Sequence, residues 1–206
     1  MLKRTKGYIL LILLVITGLA NQLPSDTLTS KERKFLINDL KNTKESLAKS
    51  IKGLSEAQLK FKPAADKWSV QECVQHLAIS DQNLWMWAEG TLKQPANPEE
   101  RKEIKMSDQE MLNFIADRSK KVQTSEEFKP EQSKWKTTEE AMNAFKEDRN
   151  KLIKYVKTTT DDVRNHVTKA PFGSIDVYQI MLMISSHTAR HTKQIEEVKA
   201  DPGFPK

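Results

Sequence analysis

Apolar residues recur along this chain at helical intervals, and four long stretches carry the pattern. From Leu28 to about Leu54, Phe35, Leu36, Leu40, Leu47 and Ile51 fall on one stripe, with Thr29 or Ser30 as N-cap and Gly53 as a stop. A connector through Pro63 follows, with one helical turn expected at SEAQL. Ser69 then opens a second helix. In SVQE the serine precedes a glutamate by three residues, the reciprocal capping pattern, and Trp68 is placed to staple the entry. Val70, Cys73, Leu77 and Leu84 continue its buried face, which the pattern carries to Glu89 or Gly90.

A third long helix is predicted from Thr138, with Glu139 and Glu140 where the macrodipole favours acids, and with Ala141, Ala144, Phe145, Leu152, Tyr155 and Val156 buried. The fourth is expected from Ser174, read as its cap, to Lys199, on a stripe of Val177, Ile180, Ile184, Ile195 and Val198. Asp201, Pro202, Gly203 and Pro205 end it. Between the second and third long helices, Thr91 to Thr137 is irregular, with Pro95, Pro98 and Pro130 and one shorter amphipathic helix over Ser107–Val122. A crossover of that length lets its flanking helices run parallel. Thr159 to Gly173 reads as a loop, and no strand-like alternation or repeat stands out. The economical fold class is all-α: a four-helix bundle with a long crossover between helices 2 and 3, one domain over residues 29–206.

The N-terminus stands apart from that pattern. Lys3, Arg4 and Lys6 precede an apolar run from Tyr8 to Ala20, with Gly18 and Ala20 as small residues at a cleavage site. This describes a secretory signal peptide over 1–20 and a polar linker over 21–28; the run is short for a membrane span of about 20 residues. Export to the periplasm or outside the cell is therefore expected, with an uncleaved anchor as the alternative and no stable insertion once the leader is removed. Without the leader's three basic residues, 31 Lys and Arg face 28 Asp and Glu, a net charge of only +3. Acids and bases are interspersed, and no basic stripe with aromatics appears, so nucleic acid is not an expected partner. Cys73 is the only cysteine, which rules out an internal disulfide and any cysteine-cluster metal site.

Four histidines remain as candidate chemistry. His187 and His191 lie four residues apart on the apolar stripe of the last helix, so two imidazoles could converge on one ion. His76 is mid-way along the second helix, and packing of helix two on helix four could add it as a third ligand, leaving a fourth position open. A hydrogen-bonded core histidine and a polar groove are the structural alternatives. The spacing is HTARH, so the intervening glutamate of HExxH metalloproteases is absent. Gln194 could hydrogen-bond a histidine or a water. Cys73 reads as a small buried hydrophobe, Asp81 and Arg190 as surface ion-pairing residues, and Trp68, Trp85 and Trp87 as core. His166 is a loop residue whose loop could fold over the open position.

FKPAADKWSVQECVQHLAISD resembles the entry to the second helix of the DinB-like superfamily, with its tryptophan–serine start and histidine–leucine pair. FGSIDVYQIMLMISSHTARHTKQI resembles the last helix of the same family, with its H-x3-H-x2-Q-I ending, and the terminal PGFP is similar to tails of bacterial members. The resemblance spans about residues 30–205 and is sharp around the histidines and Trp68–Ser69. It implies a four-helix bundle and a divalent metal, usually zinc or nickel, held by His76, His187 and His191. It also implies either metal-dependent hydrolysis or transfer and isomerisation chemistry with low-molecular-weight thiols. The leader departs from the cytoplasmic thiol transferases and favours an exported hydrolase acting on a small molecule. A non-enzymatic metal- or ligand-binding bundle is the alternative, and the sequence leaves a homodimer open.

Overall fold

The computed structural model describes residues 28–119 and 122–206; the leader and all of the linker except Leu28 lie outside them. Four long helices dominate: α1 (Ser30–Ile51), α3 (Val70–Leu92), α5 (Thr138–Thr158) and α6 (Val177–Lys199), with short α2 (Glu56–Lys60) and α4 (Asp108–Ala116) between them. Reciprocal capping boxes set where five of these six helices begin. Thr29, Ser55, Ser69, Ser107 and Thr137 each accept from the backbone amide three residues on, while the Glu or Gln there reaches back to the cap. Gly53, at φ +79°, takes the left-handed conformation that turns the chain after α1.

Helices α1 and α3 each pack on both α5 and α6, which sets α1 diagonal to α3. Gln75 Nε2 donates to the Trp135 carbonyl and Gln71 Nε2 to that of Lys136, so α3 and α5 start side by side and run parallel. The long crossover permits this. Tyr178 at the start of α6 donates to the Glu32 carbonyl at the start of α1, so that pair is parallel too. Apolar residues fill both ends of the bundle. One cluster gathers Leu36, Leu40, Val156, Ile180 and Ile184, the other Leu47, Val70, Leu77, Phe145 and Ile195.

Three expectations of secondary structure need correction. Residues 167–176 form an antiparallel hairpin, β1 (Val167–Ala170) with β2 (Gly173–Asp176), where the sequence suggested a loop as far as Gly173 and a helix from Ser174. Gly173 permits the tight return with φ +131°. Ser174 therefore pairs with Lys169 in the hairpin, and α6 is capped by Asp176, whose Oδ1 accepts from the Gln179 amide at 2.8 Å. The helix expected over Ser107–Val122 stops at Ala116. Beyond it, Asp117 accepts from both the amide and the hydroxyl of Ser119, the local side-chain bonding that favours a turn over helix. No helix among the described residues is long and apolar enough to cross a membrane.

Candidate metal centre

His76 lies on α3, two turns beyond its capped start, and its ring faces α6. His187 and His191 lie on α6, one turn apart. The helices run in opposite directions here, since the start of α3 and the end of α6 share one apolar cluster through Val70, Cys73, Ile195 and Val198. The three rings come together edge to face, with centroids 4.5–5.0 Å apart. Nε2 of His187 is 3.0 Å from Nε2 of His191 and 3.3 Å from Nε2 of His76. Trp68, immediately before the α3 cap, stacks on His191 at 5.9 Å and leans on His76 at 4.8 Å, closing one side.

The outward nitrogens decide what those inward ones are. Nδ1 of His76 lies 2.6 Å from the Phe128 carbonyl, which can only accept, so Nδ1 carries the proton and Nε2 presents a lone pair. Nδ1 of His191 lies 2.9 Å from Oε1 of Gln194 and is arranged the same way. Nδ1 of His187 is buried and has no hydrogen-bond partner among the described residues. Ser80 Oγ stands 3.4 Å from Nε2 of His76, too far for a strong bond.

His76 and His191 are almost wholly buried. Burial pushes the pKa of His76 down to about 4, partly opposed by its bond to Phe128. Burial first, then the positive charge of neighbouring rings and of Arg190, holds His187 and His191 well below the usual imidazole range. All three rings are neutral near pH 7, the form that binds metal.

This packing leaves polar atoms unmatched. Two Nε2 lone pairs face His187, which can donate from its own Nε2 to only one of them, whereas buried polar atoms are ordinarily paired. A cation resolves the conflict. Two nitrogens at 2.0–2.1 Å from one ion sit about 2.9 Å apart at a right angle and about 3.4 Å apart at a tetrahedral angle. The observed 3.0 and 3.3 Å fall in that window, so the donor set fits one divalent ion. Among the described residues no carboxylate or thiol joins the three nitrogens.

The other candidates separate. Cys73 is fully buried outside the cluster, and burial pushes its thiol far up, so it packs as a small hydrophobe. Asp81 is not a surface residue. It is buried against Arg149, whose guanidinium also reaches Thr43 of α1 and Thr188 of α6. Arg190 is likewise mostly buried. His166 does not reach the histidine cluster: it lies at the far end of α6, where its carbonyl accepts from the Val177 amide, and lines a cavity of about 310 Å³ with Trp87 and Asn97. The Phe128 carbonyl was invisible to sequence reading, because a backbone acceptor leaves no signature in residue type.

A model of the DinB superfamily matches residues 39–195, more than half of the chain and all three histidines. This chain belongs to the DinB superfamily. A Bacillus subtilis (strain 168) relative, the uncharacterized protein YuaE, is 26% identical over 151 residues, which cover 72% of this chain and 88% of YuaE. Among solved structures, YfiT from B. subtilis superposes with a TM-score of 0.59 at 16% identity, over 88% of this chain and 94% of YfiT. YfiT is described as a probable metal-dependent hydrolase with an unusual four-helix bundle topology, and at this identity the likeness establishes the shared fold.

Proposed function

We propose that this chain is a metal-dependent hydrolase of the DinB superfamily, in which His76, His187 and His191 hold one divalent ion, zinc or nickel. The observation that carries the proposal is the meeting of three neutral Nε2 atoms, 3.0 and 3.3 Å apart along the row, with two of the three rings fixed from behind. The description of YfiT supports the same reaction class. A divalent ion in such a site supplies Lewis acidity, polarising a substrate oxygen and acidifying water.

The chain's own residues do the remaining work. The Phe128 carbonyl and Gln194 hold two imidazoles in one tautomer and one orientation. Trp68 excludes water from one side of the rings. The leader read over residues 1–20 belongs to the proposal, placing the protein outside the cytoplasm, where water is a more available nucleophile than a cytosolic thiol. The absence of a carboxylate from the cluster among the described residues favours a second reading, a non-catalytic metal- or ligand-binding bundle.

Metal-free protein titrated with zinc and with nickel tests the proposal, followed by a screen of ester, amide and phosphoester substrates. One ion per chain, lost in His187→Ala together with a hydrolytic activity, is the expected result. Wild type that takes up neither ion overturns the site. Full uptake with no activity on any substrate class leaves the binding bundle as the better account.

A further inference from the structure

Gln194 is held from its far side by a residue of the crossover. Arg118, just beyond α4, donates from Nη1 to Gln194 Oε1 at 3.1 Å. Its Nε and Nη2 are gripped by both carboxylate oxygens of Glu197, at 2.8 and 2.6 Å, in a fork that fixes the guanidinium plane. The turn made by Asp117 and Ser119 sets Arg118 at this point on the face of α6, against which α4 packs.

The chemistry of these partners has one consistent solution. A guanidinium only donates, so the Gln194 atom facing it is the oxygen and not the amide nitrogen. That same oxygen faces Nδ1 of His191 at 2.9 Å, so Nδ1 must carry the proton and Nε2 is left bare toward the other two rings. Without Arg118 the amide is free to turn over and offer its NH2 to Nδ1. The proton on His191 then moves to Nε2, the atom that faces the cluster.

We propose that Arg118 is a positioning residue for the metal centre: acting through Gln194, and itself set by Glu197, it selects the His191 tautomer that can bind an ion. The inference rests on the metal-centre reading for its functional meaning, but the tautomer it assigns is a property of the metal-free protein. The crossover thus holds the site at two points, Arg118 behind His191 and the Phe128 carbonyl behind His76. Residues acting from behind metal ligands typically change affinity 10–100-fold.

The test uses full-length protein in three forms: wild type, Arg118→Met, and Arg118→Met combined with Gln194→Glu. A carboxylate at 194 can only accept, so the double variant restores the acceptor without Arg118. Ring-nitrogen NMR of metal-free protein reads the His191 tautomer, and a zinc competition titration reads affinity. Expected are the Nδ1–H form in wild type, loss of that single form with a 10–100-fold weaker zinc affinity in Arg118→Met, and recovery of the tautomer in the double variant. An unchanged tautomer in Arg118→Met overturns the proposal, as does a double variant that behaves like the single one. Wild type that binds no zinc defeats the metal reading alone, and the tautomer comparison still judges the relay.

Discussion

Arg149 of α5 holds Asp81 of α3 with two nitrogens, Nε 2.9 Å and Nη2 2.7 Å from Oδ2, at the fully buried middle of the bundle. The same guanidinium donates to Thr43 of α1 and Thr188 of α6, so one side chain ties all four long helices. Removing one member of a buried pair strands the other, at a cost of about 3–5 kcal/mol. Arg149→Met is therefore expected to lower stability by that amount in urea unfolding. Arg149→Met with Asp81→Leu should recover much of it, because no bare charge then remains.

Bound metal should stabilise the fold by linkage. At an ion concentration about a hundredfold above Kd the gain is about 2.7 kcal/mol, worth about 5–10 °C in Tm for a chain of this size. Thermal melts with zinc and with excess chelator read the difference. His187→Ala should melt at the same temperature in both.

Acid should weaken the chelator-treated protein through its histidines. His76 is held near 4 in the fold and titrates near 6.5 when unfolded, so the unfolded chain binds the extra proton between those values. That contribution is neutral above pH 6.5 and turns destabilising as pH falls through the window, by about 2 kcal/mol at pH 5. Burial raises Asp81 and Asp176 to about 6, and this acts in the opposite sense, favouring the fold as pH falls. The histidine part is isolated by comparison with His76→Gln. Its stability relative to wild type should rise by about 2 kcal/mol between pH 7.5 and pH 5 in urea melts.

Ser69 begins α3 and, with Glu72, completes its capping box. Ser69→Ala should cost about 1 kcal/mol, a drop of about 2–4 °C in Tm, while Ser69→Asp should stay near wild type. Since the same turn carries Trp68 against His76 and His191, tryptophan emission should shift in the alanine variant and not in the aspartate one.

What the sequence disclosed depended on the reach of each cue. The α3 start was legible to the residue because Ser69, Glu72 and Trp68 are local to it. The four long helices were legible because a buried stripe repeats along each. The hairpin before α6 was not, since four-residue strands such as VTKA and GSID carry too little alternation to register, and Ser174 consequently looked like a cap. Asp81 and Arg190, both buried, looked like surface charges for a related reason. Spacing places a residue on a helix face but does not name the charge across from it. Arg118 and Glu197, 79 positions apart, lay beyond any local pattern.

His76 and His187 are 111 positions apart, and two of the three rings belong to the final helix. A nascent chain halted before α6 owns one imidazole of the set and has nothing with which to complete it. Capture of an ion would therefore mark the docking of α6 onto α3, and a metal-loaded population would be one in which those two helices had met in every molecule.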